Sequence, residues 1–275
     1  MTKFLSKLVC EEFKLKKKLE GPLMGVEIEV EADKELVGDP SNFWRVVRDG
    51  SLRGYALEYV SSPSTKDQIL QGVSSLYSLF KDKTISVNDS MRAGVHVHLN
   101  CCDLTIRQLF TLIAAYYSLE EVFMGHMGQE RKGNLFCLGL EEAEYCNNCF
   151  LVDLNSEGLE SNVFQNENFR YSAMNLVSLS KFGTLEFRAL RTPTTPQPIK
   201  EWVETLHALY TNSLKFEDPA KLLSAMSADG ITEVAKELLG EKAERYTSEE
   251  GFEEKVYNSI RGIQQWVYLT DWSKK

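Results

Sequence analysis

A chain of 275 residues with 43% hydrophobic and 26% charged side chains has the composition of a globular protein with a sizeable core. Its 31 basic and 40 acidic side chains leave a net charge of −9, which argues against a whole-surface grip on nucleic acid and so against direct nucleic-acid binding. It contains neither a long uncharged apolar run nor a secretory leader pattern, so the expectation is a cytoplasmic enzyme or binding protein with no membrane partner.

The first 20 residues carry six lysines and three glutamates among Phe4, Leu5, Leu8, Phe13 and Leu15, and predict a solvated amphipathic helix. Residues 24–31 then alternate strictly: Met24, Val26, Ile28 and Val30 take one face, and Glu27, Glu29 and Glu31 the other. This is a strand. A second strand is expected over Tyr55–Ser61. Thr65 and Gln68 form a capping box ahead of an apolar stripe through Ile69, Val73, Leu76, Tyr77 and Phe80, which predicts a helix. Residues 94–100 alternate again, with His96, His98 and Asn100 on the polar side. Asp103 is expected to cap a long apolar helix through Ile106, Phe110, Ile113 and Tyr117.

Residues 133–169 hold seven acidic side chains and no lysine or arginine, and are expected to form an irregular excursion and a candidate lid. Strands are predicted near 169–176 and 184–190. A helix starting at Thr195–Pro196 follows, with Ile199, Trp202, Val203, Leu206 and Tyr210 on its stripe. Strands grouped ahead of a helical tail favour an α+β fold. The expected division is a basic N-terminal segment (1–20), a catalytic core (21–197) and a helical C-terminal part (198–275) packed on it. Of the six cysteines, Cys137, Cys146 and Cys149 with His126 could hold zinc, but no second ligand pair at finger spacing supports this, so buried thiols are preferred.

Three patterns carry chemistry. Side chains two apart on a strand stand about 6.5–7 Å apart on one face. Glu27, Glu29 and Glu31 therefore repel one another unless hydrated or holding a cation, and hard Mg²⁺ or Mn²⁺ prefers such oxygen donors. His96 and His98 share a strand face, where imidazole can ligate a metal or meet phosphate. Glu186 and Arg188 share another, offering a carboxylate ligand and a guanidinium fork for phosphate oxygens, with Arg170 and Arg191 flanking them. Glu58, in Leu57-Glu58-Tyr59-Val60-Ser61-Ser62-Pro63, is a further carboxylate. Each has an ordinary surface explanation taken singly.

Their order is more specific. Gly25-Val26-Glu27-Ile28-Glu29, the turn after Glu58, Gly94-Val95-His96-Val97-His98 and Gly183-Thr184-Leu185-Glu186-Phe187-Arg188 together resemble the glutamine synthetase-like carboxylate–amine ligases. The likeness is to the short amidoligase branch found in phage and bacterial gene sets and to glutamate–cysteine ligase-like proteins. It covers roughly residues 22–195, with Asp49-Gly50-Ser51 and Arg170-Tyr171 as further landmarks.

The resemblance implies a curved antiparallel sheet whose concave face binds ATP and two or three Mg²⁺ or Mn²⁺ ions. It implies Glu27, Glu29, Glu58, His96 and Glu186 as metal ligands, and His98, Arg188, Arg191 and Lys181 as nucleotide contacts. Arg188, Arg170 and Glu186 would act in catalysis. The implied substrates are a small-molecule or peptide carboxylate and an amine, joined through an acyl phosphate in the cytoplasm (the host's, for a phage gene). Family members commonly associate, so a homo-oligomer is also implied. A phosphotransferase on the same sheet and a non-catalytic nucleotide or metal binder are the competing readings.

Overall fold

The computed structural model describes residues 4–16, 18–128, 137–139, 145–156, 158–159 and 162–273. Its strands are β1 (Met24–Ala32), β2 (Trp44–Val47), β3 (Tyr55–Ser61), β4 (Gly94–Asn100), β5 (Met174–Asn175) and β6 (Thr184–Arg191). They form one open six-stranded sheet in the order β2-β3-β1-β4-β6-β5, antiparallel at every pairing. The helices are α1 (Val9–Glu12), α2 (Lys66–Asp82), α3 (Ile106–His126), α4 (Tyr145–Leu154), α5 (Asn162–Gln165) and α6 (Val177–Phe182), followed by α7 (Gln197–Ser213), α8 (Pro219–Ala228), α9 (Ile231–Leu239), α10 (Ala243–Thr247) and α11 (Phe252–Leu269). This is the expected mixture of an antiparallel sheet with packed helices and a helical C-terminal region.

The alternation in β1 decides which face of the sheet is dry. Met24, Val26, Ile28, Val30 and Ala32 are buried, while the glutamates take the opposite face. Helix α2 covers β1, α7 covers β4, and α3 reaches β6, where the Tyr116 and Phe187 rings lie 4.9 Å apart. Apolar and small residues predominate on every side of α3 from Leu109 to Leu119, and that stretch is buried all round. Its other flank meets α11, with Phe110 and Trp266 ring centroids 5.7 Å apart. Each such fully buried aromatic contributes about 1.5–3 kcal/mol relative to exposure. One connected apolar cluster extends from Phe4 to Trp272.

Both long N-terminal helices are capped reciprocally. Thr65 Oγ1 accepts from Gln68 N at 3.5 Å while Gln68 Oε1 accepts from Thr65 N at 3.0 Å. In α3 the cap is Thr105 rather than the expected Asp103, again with a glutamine three residues on (3.2 and 2.9 Å). Asp103 instead accepts a hydrogen bond from Gly21 N at 2.8 Å, tying down the approach to β1.

Other expectations also change. The strand predicted over 169–176 shrinks to Met174–Asn175, because Glu167–Tyr171 coils as a 3₁₀ turn and Asn175 Oδ1 caps Val177 N at 2.9 Å, starting α6. β2 carries no alternation that would announce it. The helix expected over the first 20 residues is the single turn α1. Backbone bonds from Val9 N to Leu104 O (2.9 Å) and Cys10 N to Cys102 O (3.1 Å) fasten that stretch to the turn between β4 and α3, and Lys14 adopts a left-handed φ of 52°. Within the acidic region, α4 packs inward through Phe150, 5.4 Å from the Trp266 ring. Residues 133–136, 140–144, 157 and 160–161 of that excursion lie outside the described residues.

One irregularity matters for the site. β6 has an extra residue opposite His96: Val97 pairs with Phe187 but Val95 pairs with Leu190. This β-bulge keeps Arg188 on the polar face with Glu186 and returns Leu190 to the core.

Candidate functional site

Sheet register assembles the site. Glu58 of β3 lies directly opposite Glu29 of β1, Glu27 opposite His96 of β4, and His98 opposite Glu186 of β6, which in turn faces Asn175 of β5. Residues more than 150 positions apart in the chain thus share one polar surface, because side chains opposite one another across a ladder stand about 4.5–5.5 Å apart.

The imidazole of His96 sits at the centre. Its Nδ1 lies 3.2 Å from Glu27 Oε2 and 3.6 Å from Glu186 Oε1, and its Nε2 lies 3.8 Å from Glu29 Oε1. Arg188 Nη1 approaches the same Nδ1 at 3.5 Å and pairs with Glu186 Oε1. His98 Nε2 stands 3.5 Å from Glu27 Oε1, and its Nδ1 meets Thr184 Oγ1 at 3.0 Å. The carboxylates are themselves oriented. Asn175 Nδ2 donates to Glu186 Oε2 at 2.6 Å and Gly94 N to Glu29 Oε2 at 2.7 Å; Thr192 Oγ1 donates to the Glu29 carbonyl at 2.6 Å. Glu29, His96, Asn175 and Glu186 are buried, and Glu27 is half-buried.

Charge crowding shows in the protonation preferences. For Glu27 burial opposes ionisation, but hydrogen bonds and charge from His96 and His98 outweigh it and hold the carboxyl well below the usual range. Glu186 is lowered likewise: burial acts against the charge, while His98, Arg188 and His96 favour it. Burial also disfavours a charged His98, yet Glu27 and Glu186 raise its pKa overall. Glu58 goes the other way, to about 7, first through burial and then through repulsion from Glu27, Glu29 and Asp49. These acids cannot all ionise comfortably without additional positive charge. That is the condition a bound cation relieves.

The donor chemistry fits such an ion. Single ligand atoms from Glu27, His96 and Glu186 lie within 4.8 Å of one another, and carboxylate oxygens with one imidazole suit Mg²⁺ or Mn²⁺. Glu29 and Glu58 adjoin this trio along the same face, where they could serve a second ion.

The structure draws the other candidates together less completely. Arg170 is exposed, with its guanidinium over the Tyr171 ring (4.6 Å to the centroid) and Glu167 at 3.9 Å. Lys181 Nζ pairs with Glu167 at 2.6 Å. Arg191 bonds Asp89 and, through Nε at 3.2 Å, the Ser90 carbonyl. Glu31, at the end of the acidic row, accepts from Arg53 N at 2.7 Å. Among the described residues the cysteines join no metal-binding group, and His126 faces Glu249 at 3.1 Å instead.

Sequence reasoning missed the orienting residues Asn175, Thr184 and Thr192. Only strand pairing exposes Asn175, since two residues of strand leave no pattern. Thr184 stood within a recognised motif but without a role.

A family described as a "putative amidoligase enzyme" matches residues 24–210, about two thirds of the chain, and includes every cluster residue named above. No curated protein matches the sequence.

Proposed function

Given that the chain belongs to the amidoligase family, we propose that it is an ATP-dependent ligase joining a carboxylate to an amine. The observation that carries this reading is the convergence of Glu27, His96 and Glu186 from three strands, with Arg188 beside them, on the open polar face of an antiparallel sheet.

A free carboxylate is a poor electrophile, so condensation with an amine needs activation. The carboxylate oxygen attacks the γ-phosphorus of ATP, giving an acyl phosphate and ADP. The amine then attacks the acyl carbon and expels inorganic phosphate, leaving an amide. Divalent ions, when bound, would neutralise phosphate charge during the transfer. Glu27, His96 and Glu186 would hold one ion, with Glu29 and Glu58 beside it for another.

The protein's own groups set the geometry. Arg188, free to exchange Glu186 for a phosphoryl oxygen, offers a planar fork of donors to the transferring group. Burial disfavours a charged His98, but Glu27 and Glu186 flank it and raise its pKa, favouring the form that would bring positive charge next to the phosphates. Asn175 and Gly94 N fix the Glu186 and Glu29 carboxylates, so neither has to reorganise during the reaction.

The deciding experiment incubates the protein with MgATP and mixed carboxylates and amines, then resolves the products by mass. An amide formed with ADP by the wild type and lost in Glu186→Gln supports the ligase. A stable phosphorylated acceptor would replace it with a phosphotransferase, and equal ADP release by both proteins would remove catalysis from this cluster altogether.

A further inference from the structure

Beside the cluster lies a cavity of about 620 Å³ with an unusual wall. Glu27 and His98 line the side where it meets the cluster. Phe13, Lys14, Leu15, Lys16 and Leu19 line another, and these five precede the region that matches the family. This part of the site is therefore built from chain the family does not specify.

Three observations give the cavity a chemical preference. Lys14, Lys16, Arg45 and Lys181 all line it, against the single carboxylate of Glu27 among the described lining residues. Lys14, Lys16 and Arg45 make no ion pair among the described residues, in a chain whose net charge is −9. Cations left unpaired around one concavity attract an anion. Phe182 is 62% exposed at the cavity's edge, its ring perpendicular to His98 with centroids 6.5 Å apart. Together with Leu15 and Leu19 it offers an apolar surface for a flat group.

The wall is held in place. Leu15 N bonds Cys10 O at 3.0 Å, and Cys10 N bonds Cys102 O at 3.1 Å. Beyond the cavity, Asn100 Nδ2 donates to Leu19 O at 3.1 Å and Gly21 O at 2.9 Å. Leu15 packs on Gly183, where any Cβ would overlap it and Cys102 Sγ. Lys14 keeps its left-handed φ of 52° within this anchored stretch. Backbone held in a region disfavoured for lysine, next to a cavity, is a common mark of a functional wall.

We propose that this N-terminal strap, with Arg45 and Phe182, is a binding subsite for an anionic ligand with an apolar, flat body, placed so that the ligand's reacting end reaches Glu27 and His98. The identity of the anion rests on the ligase reading: it is either the nucleotide or an acyl substrate carrying a second acidic group. Its binding does not rest on that reading.

The test is calorimetric titration of the full-length protein with MgADP and, separately, with phthalate, a flat dicarboxylate. The variants are Lys14→Asn/Lys16→Gln, Arg45→Gln and Phe182→Ala. Asparagine tolerates the left-handed backbone at position 14. The expected result is a tenfold or greater loss of affinity for one probe in all three, with the thermal midpoint unchanged. Loss for MgADP assigns the nucleotide, and loss for phthalate assigns the acyl substrate. Unchanged affinity for both probes, or no binding of either by the wild type, overturns the proposal. Intact binding without amide formation would sink the ligase reading and leave the subsite standing.

Discussion

Replacing Glu58 by glutamine should make the metal-free protein more stable and the metal-loaded protein less so. Glu58 faces Glu29 across the ladder and shares a hydrogen bond with Glu27, and its pKa rises from 4.5 to about 7. A carboxyl whose folded pKa exceeds its unfolded value destabilises the fold as pH climbs between the two, because the unfolded chain releases its proton first. Below pH 4.5 nothing is lost; above about 7 the full cost applies. The unscreened cost is about 3 kcal/mol. Glu58 is only partly buried, so screening reduces this to about 1–2 kcal/mol. Glutamine keeps a donor for Glu27 without the charge.

In the presence of chelator at pH 8, the variant should melt roughly 2–6 °C above the wild type, with the difference vanishing near pH 4.5. Saturating Mn²⁺ should reverse the order. The wild type gains about 2.7 kcal/mol at 100 times its dissociation constant, and the variant gains less. Differential scanning calorimetry at both pH values, with and without Mn²⁺, reads all four states. A variant less stable than the wild type in chelator at pH 8, or one gaining as much from Mn²⁺, would refute the argument that these acids are crowded for a cation.

Further expectations concern neighbouring groups. Mn²⁺ affinity should fall by up to about tenfold per pH unit below 7, since the ion must displace the Glu58 proton; titrations at pH 6 and 8 check this. Asn175→Ala removes the donor that orients Glu186 and should weaken Mn²⁺ binding about 10–100-fold with a modest change in melting temperature. An unaltered dissociation constant would show that Asn175 does not position the ligand. Gly183→Ala forces a side chain onto a φ of 72° and into Cys102 and Leu15, costing about 2–4 kcal/mol in urea unfolding, with partial relief from an added Leu15→Ala.

How much of this was readable from residues alone follows from the kind of signal each element carries. β1 and β4 were legible because one wet and one dry face impose a two-residue period. α2 was legible because both its stripe and its Thr65–Gln68 cap agree. The cap of α3 was misplaced because Asp103 and Thr105 are both competent, and only the tertiary bond from Gly21 decides between them. β2 and β5 owe their existence to neighbours: Trp44–Val47 is extended because β3 is there to pair with it, and Met174–Asn175 because β6 is. The carboxylates and histidines of the site lay on alternating strands and so could be placed on faces. Which residue stood opposite which depended on register, and the orienting groups Asn175 and Thr192 became visible only with it. The N-terminal stretch misled because lysines spaced among apolar residues look helical, whereas its backbone partners lie in the turn after β4 and the first residues of α3.

The supernumerary residue in β6 has an evolutionary corollary. Cut one position between Phe187 and Leu190 and the strand falls back into plain alternation: Leu190 still meets Val95, Arg191 still meets Gly94, and no face is inverted. What goes is one of the two side chains, Arg188 or Ala189, that share the place opposite His96. Keeping the surplus residue is consequently a demand of the polar surface and not of the frame, so a descendant that shed it would retain the sheet and change the chemistry above it.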